Sequence, residues 1–384
     1  MSAQGPRFID IGLNLTDPVF HGIHRGARKH ADDFHHVIRR ALNAGVKNAV
    51  ITGGSLSESR SAINLARQLG MYATIGCHPT RSKEFDKYMG GPEAYLSALD
   101  NLISKSLEGK GRVVAVGECG LDYDRLHFAS PDTQKTHFRA QLALAKKHHL
   151  PLFLHSRSAH QDFVKILTEE GFGTDGGRDV GGRGGVVHSF TGTIQEAKDL
   201  VAMGFHIRYQ FVRLHCSPVL DLIKYLSING CDGPWCSMTS AHASHSLLKS
   251  LPRHLSQLYF PPSCKPERLI EGGTHTVKGR NEPCSIGGVA WVISKLHSST
   301  ETEEQETIDR VAEAAWKNTI EVFRLIEEES VVFVMLHQSS KNLIDLLPRR
   351  HHDHPASSTQ EESRAEKNDN EQSDKIQGNF IKNT

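Results

Sequence analysis

Residues 7–330 of this chain predict an α/β fold, a TIM-like (β/α)8 barrel. Two observations carry that prediction. Short apolar runs alternate with amphipathic segments along the N-terminal half, the pattern of parallel βαβ units. Polar and ionisable residues then stand at the C-terminal ends of successive runs, where a barrel gathers its active site.

The runs are Phe8-Ile9-Asp10-Ile11, Asn48-Ala49-Val50-Ile51-Thr52, Ala73-Thr74-Ile75-Gly76, Val113-Val114-Ala115-Val116, Pro151-Leu152-Phe153-Leu154 and Gly185-Val186-Val187. Each is short enough for a strand and apolar enough to be buried on both faces of a parallel sheet. Helical patterns lie between them: residues 33–44 closed by Gly45, 57–69 with a serine cap and Gly70 behind, 132–149 with Asp132 as cap after Pro131, and 161–170 before Gly171. Two further helices are predicted at 286–296, with Asn281 or Glu282 as the cap, and at 309–321. Gly171, Gly173 and Gly176 spell a G-x-G-x-x-G, but it follows a helix instead of opening one, so 171–185 reads as a loop.

Composition narrows the function classes. The 384 residues include 45 basic and 44 acidic side chains, a formal net charge of +1, which excludes a strongly basic nucleic-acid coat and leaves room for a local groove. A mean hydropathy of −0.40 still fits a globular chain with a polar appendage. No run approaches the roughly 18 apolar residues of a membrane span, and the first residues do not read as a secretory leader. The seven cysteines are scattered without a C-x-x-C pair, which suits buried thiols in a reducing compartment, the cytoplasm or the nucleus. Residues 339–384 are so polar that a disordered tail is expected, and His351-His352-Asp353-His354 within it reads as a solvated run. Neither G-x-x-x-x-G-K-[ST] nor G-x-S-x-G occurs, so nothing points to a P-loop enzyme or a serine hydrolase.

Asn14, His78, Glu118, His155 and His188 are the polar residues at the strand ends. A carboxylate with several imidazoles on one rim can hold one or two divalent ions and support metal-assisted hydrolysis. The residue types alone leave an ester, an amide and a phosphodiester open as substrates.

The motifs around these residues narrow the choice. In order they are Phe8-Ile9-Asp10-Ile11-Gly12-Leu13-Asn14-Leu15-Thr16, Gly76-Cys77-His78-Pro79, Gly117-Glu118-Cys119-Gly120-Leu121-Asp122-Tyr123, Leu154-His155-Ser156-Arg157, Val187-His188-Ser189-Phe190-Thr191-Gly192-Thr193, Asp232-Gly233-Pro234-Trp235-Cys236 and Lys278-Gly279-Arg280-Asn281-Glu282-Pro283-Cys284. Over residues 7–207 and 229–326 the chain resembles the TatD family of metal-dependent deoxyribonucleases, and its eukaryotic branch in detail. The resemblance implies hydrolysis of DNA phosphodiester bonds, with 3′–5′ exonuclease action as its finer form, by a monomer using Mg²⁺, with Mn²⁺ or Zn²⁺ as the other candidates. It implies that Glu118, His155, His188 and Asp232 are metal ligands, with Glu118 bridging and Asp232 also taking the proton of the attacking water. It places His78 near the scissile phosphate and Asn14 and Arg157 on the substrate side, with a rim salt bridge as the alternative for Arg157. Asp122 and Tyr123 would orient the loop carrying Glu118, and Trp235 would stack a base or simply pack. Many relatives carry H-x-H after strand one; Gly12 and Asn14 stand there in this chain, which should weaken one of two metal positions.

The resemblance breaks across residues 208–231. Arg208-Tyr209-Gln210-Phe211-Val212-Arg213-Leu214-His215-Cys216-Ser217-Pro218 matches nothing in the family pattern, and Asn229-Gly230-Cys231 runs straight into Asp232 where a helix and most of the final strand are expected, so the resemblance implies a TIM-like barrel that is incomplete around strands seven and eight. An altered reading of the gene, with segments inserted and skipped, accounts for this better than the alternative, in which 219–228 stands in for the missing element. Two rival functions follow: a non-catalytic barrel remnant, and a related metal-dependent hydrolase of small amides or esters.

Overall fold

The computed structural model describes residues 5–209, 230–236, 244–270, 274–297 and 308–326. Seven strands form one sheet: β1 (Phe8–Leu13), β2 (Val46–Ile51), β3 (Tyr72–Ile75), β4 (Val113–Asp122), β5 (Leu152–Arg157), β6 (Gly185–Phe190) and β7 (Phe205–Tyr209). They are all parallel and adjacent in chain order. Every apolar run of the sequence is a strand, and β1, β4, β5 and β6 run on past its C-terminal end. Glu118, His155 and His188 therefore sit on ordered backbone within the sheet, not in the loops beyond it.

The longer helices are α1 (Phe34–Asn43), α2 (Leu56–Leu69), α3 (Gly91–Ser104), α4 (Pro131–His148), α5 (His160–Glu169), α6 (Ile194–Ala202), α7 (Ile286–His297) and α8 (Ile308–Phe323). Local chemistry fixes several ends. The Ser55 hydroxyl accepts from the N–H of Glu58 to open α2, and Thr193 and Glu196 cap α6 reciprocally. The cap of α4 is Ser130, not Asp132: its hydroxyl accepts from the N–H of Thr133, and Pro131 fills the first helical position, where no N–H is needed.

The core is the barrel interior closed by the last helix. Ile9, Ile11, Val50, Tyr72, Val114, Phe153 and Val186 from six of the strands pack in one buried cluster with Trp316, Val322 and Phe323 of α8. The Arg7 guanidinium lies over the Trp316 ring, 4.3 Å from its centroid.

Among the described residues the sheet ends at β1 on one side and at β7 on the other. Among the described residues the sheet is thus a TIM-like arc of seven strands. Residues 230–236 run alongside β1: the N–H of Cys231 donates to Asp10 Oδ1 at 2.8 Å, and the N–H of Asn14 donates to the Gly233 carbonyl at 2.9 Å. Asp232 reaches the rim by this short segment. The centre of the abnormal stretch, 210–229, and the tail expected over 339–384 lie outside the described residues. Among the described residues, those of 5–23 and 28–326 belong to one compact unit, and 24–27 are assigned apart from it.

Candidate active site

Sheet register sets the site. His155 on β5 is the cross-strand partner of Gly120 on β4 and of His188 on β6, so both imidazoles stand at one level of the barrel. His78 follows β3, and its own Nδ1 caps the turn behind it, meeting the Thr80 hydroxyl at 2.8 Å and the Thr80 N–H at 3.2 Å.

The expected residues divide into two groups. In the first, His78, Glu118 and His155 each offer a ligand atom within 4.8 Å of the others, the spacing of a metal centre. His155 Nδ1 lies 3.0 Å from Glu118 Oε1, and His155 Nε2 lies 3.2 Å from Asp122 Oδ2. His78 Nε2 is 3.9 Å from Glu118 Oε1. Burial works against a charge on His155, yet its bonds to Asp122 and Glu118 outweigh burial and push the imidazole up to about 9. Burial likewise opposes the Glu118 charge, but the His155 bond and the neighbouring imidazoles bring that carboxyl down to about 2. Burial and the charge on His155 bring His78 down to about 3. One ionised carboxylate, one neutral imidazole and one imidazolium whose proton an ion can displace make a donor set that fits a divalent cation.

In the second group, His188 Nε2 lies 3.1 Å from Asp232 Oδ1, and the Ser189 hydroxyl donates to Asp232 Oδ2 at 2.8 Å. The Cys236 thiol donates to Oδ2 as well. Burial opposes the Asp232 charge, but the charge and hydrogen bond of His188, the Arg208 guanidinium and Ser189 hold the carboxyl far below its ordinary range.

The remaining expected residues are placed plainly. Asn14 donates from Nδ2 to the Gly233 carbonyl at 3.3 Å, tying β1 to the segment that carries Asp232. Arg157 is engaged by Asp124, Nε to Oδ2 at 2.7 Å, a half-exposed rim ion pair. Trp235 is 56% exposed beside the site. Tyr123 donates to Asp162. Asn281 and Glu282 are not caps for α7. Asn281 donates to the Cys231 carbonyl at 2.6 Å, and Glu282 is buried against Arg40 and Arg280, because both side chains find stronger partners across the fold than the helix end offers.

Two participants escaped the reading of the sequence, and a third, Asp122, entered it only as a group orienting the loop that carries Glu118. Asp122 engages the far nitrogen of His155, which only the register of β4 against β5 reveals. Asp10 is fully buried in β1, and burial raises its carboxyl to about 6. Arg208, 4% exposed on β7, donates from Nη1 to His188 Nδ1 at 2.9 Å and to the Ser189 hydroxyl at 3.2 Å. It lies in the stretch where the family pattern fails, so no motif pointed to it.

Among the described residues no helix is long and apolar enough to cross a membrane. Comparison with known proteins gives the family. A family profile described as "TatD related DNase" matches residues 9–324. The deoxyribonuclease Tat-D of Schizosaccharomyces pombe is 39% identical over 319 residues, covering 82% of this chain and 95% of that one. The 3′-5′ ssDNA/RNA exonuclease TatD of Enterobacter lignolyticus is 37% identical over 199 residues, covering 52% of this chain and 65% of that one. A solved structure of an uncharacterized amidohydrolase from Saccharomyces cerevisiae superposes with a TM-score of 0.72 at 32% identity, covering 83% of this chain and all of that one. This chain belongs to the family of TatD related DNases, and it is a hydrolase of that barrel class.

Proposed function

We propose that this protein is a metal-dependent nuclease that hydrolyses DNA phosphodiester bonds, removing nucleotides from the 3′ end. The observation that carries the reading is the His78–Glu118–His155 group on the rim of a barrel of this family. The name of the Enterobacter relative supports the polarity and single-stranded DNA as substrate.

His78, Glu118 and His155 would hold the ion. Mg²⁺ is the ion the resemblance puts first; two imidazoles among three donors favour the softer Mn²⁺ or Zn²⁺. A divalent ion there supplies Lewis-acid polarisation of a phosphoryl oxygen and acidifies water. The protein's own residues do the rest. Glu118 is ionised and fixed by His155, so it is ready to bind without reorganisation. Asp232 accepts the water's proton; because its partners hold it so firmly ionised, it is a weak base, and most of the activation must come from elsewhere. Exposed Trp235 offers a ring on which a terminal base can stack.

The test is cleavage of single-stranded oligonucleotides labelled at the 5′ or the 3′ end, with Mn²⁺, Mg²⁺ or chelator. Metal-dependent loss from the 3′ end is the expected result. Turnover of small amides or esters without any DNA cleavage would replace this reading by the amidohydrolase one. Equal activity in wild type and a Glu118→Ala, His155→Ala double variant would remove the site.

A further inference from the structure

The site gathers the carboxylates of Glu118, Asp122 and Asp232. A DNA strand that enters it needs fixed positive charge beside the ion. Arginines follow the ends of adjacent strands there: Arg81 after β3, Arg125 after β4 and Arg157 closing β5. The motifs point to Arg157. We infer that Arg125 is instead the residue that holds the substrate strand, binding the backbone phosphate next to the one that meets the ion. The inference rests on the nuclease reading above and names the part of the substrate that the site grips.

Carboxylates already engage Arg157 and Arg81. Arg157 Nε donates to Asp124 Oδ2 at 2.7 Å, and the other oxygen of that carboxylate accepts from the Ser158 hydroxyl at 2.6 Å. Arg81 Nη2 donates to Glu58 Oε1 at 3.3 Å, and its Nη1 lies 3.7 Å from Glu84 Oε1. A phosphate that reaches either of them must first displace a carboxylate. Arg125 differs. It faces Asp122 only at 3.9 Å, Nε to Oδ2, outside hydrogen-bond distance. Asp122 is taken by other partners. Its Oδ2 meets His155 Nε2 at 3.2 Å, its Oδ1 accepts from the Asp124 N–H at 3.1 Å, and its side chain is 1% exposed. The Arg125 side chain is 51% exposed. Its planar fork of five donors is therefore open to a ligand, and it matches two oxygens of one phosphate.

The backbone sets where that phosphate lies. Tyr123–Arg125 form one short helical turn directly after β4, the strand that carries Glu118. Glu118, His155, Asp122 and Arg125 stand in series. Glu118 Oε1 meets Nδ1 of the His155 ring, Asp122 meets its Nε2, and Arg125 faces Asp122. An imidazole and a carboxylate thus separate the guanidinium from Glu118, yet its charge still reaches His78 and Asp122. At that remove it serves the neighbouring phosphate of the strand, while the ion takes the scissile one. A substrate with a single phosphate, or with none, lacks the group that Arg125 binds, so this residue selects for a polynucleotide chain.

The test is binding of a 5′-fluorescein-labelled single-stranded oligonucleotide to the full chain, read by anisotropy across a series of NaCl concentrations with Ca²⁺ present. Cleavage in Mn²⁺ is measured alongside. Arg125→Met should bind about tenfold more weakly at low salt, the lower end for a charge-assisted contact because the group is half exposed. The slope of log Kd against log salt should fall by about 0.7, the share of one phosphate contact on a single strand. Arg125→Lys should restore most of that slope. A neutral methylphosphonate at the penultimate 3′ linkage should weaken wild type by a similar factor and leave Arg125→Met unaffected. Mn²⁺ bound per chain should be the same in wild type and variant, which separates a role toward the strand from one toward the ion. A folded Arg125→Met with wild-type affinity and slope would overturn the inference. So would a wild type indifferent to the methylphosphonate, or a variant as sensitive to it as wild type. If Arg125→Met fails to fold, the wild-type response to the methylphosphonate decides. A slope that depends on Arg125 without any cleavage in Mn²⁺ counts against the nuclease reading alone. Cleavage by a protein whose binding ignores Arg125 counts against this inference alone, and a wild type that binds no DNA overturns both.

Discussion

At the scale of single residues, the site is a set of charges that hold one another in place. His155 lies between Glu118 and Asp122, and its imidazole is raised to about 9 by those two carboxylates against the pull of burial. Below that value the ring is protonated, so a metal ion must displace the proton to bind. Apparent affinity should therefore rise with pH from 6 to 9, by up to about tenfold per unit, with proton release detectable by calorimetry in buffers of different ionisation enthalpy. Asp122→Asn removes one of the two bonds that orient the ring. It should weaken metal binding by ~10–100-fold, as loss of a partner behind a ligand commonly does, with little change in the circular dichroism spectrum. Asp10 gives a pH effect of opposite character. Its folded value of about 6 stands above the ordinary 3.8 because burial disfavours the charge. The stability it contributes is fully present below about pH 4 and is lost as the pH rises through about 6. Asp10→Asn keeps the acceptor for the Cys231 N–H. It should be more stable than wild type at pH 7–8, by on the order of 2–3 kcal/mol in urea unfolding, with the difference shrinking toward pH 4.

At the scale of elements, the strand ends and the segments beyond them are braced by buried polar pairs. Arg280 donates to both oxygens of Asp33, which immediately precedes α1, at 2.8 and 2.6 Å, and to Glu282 at 2.8 Å. Its side chain is 1% exposed. Arg280→Ala would leave two buried carboxylates with less counter-charge, and the expected loss is about 3–5 kcal/mol, read as a fall in Tm. Asn281 works next to it, holding the Cys231 carbonyl one residue from Asp232. The strands, most of the helices and the rim positions of His78, Glu118, His155 and His188 were legible in the sequence, because period and punctuation report local backbone. Asp122 was read as a loop-orienting group, Arg280 received no role of its own, and Glu282 was read as a cap. Their true partners lie 33, 247 and 242 positions away, beyond what local pattern reports.

At the scale of the whole molecule, one helix closes the arc. Trp316 of α8 is 3% exposed and packs in a single cluster with residues from six of the seven strands and with others of its own C-terminal stretch. Trp316→Ala should cost about 3–5 kcal/mol, measured by thermal or urea unfolding, because no neighbour can collapse into so large a void. The same closure carries β1 and residues 230–236 side by side, so that Asp232 meets His188 although much of the expected approach to it is replaced.

The sequence by itself determined the barrel class, the order of its strands, and the imidazoles and carboxylates on its rim. These follow from hydrophobic period, turn residues and short motifs, all of which act over a few neighbours. Only the tertiary structure decided which of those groups meet. Strand register brought His155 to Asp122 and Glu118, and it set a buried arginine on the last described strand against His188. The physical reason is that donors, acceptors and charges pair by distance in space, and a desolvated cation is held wherever the fold brings carboxylates and a lone pair within reach.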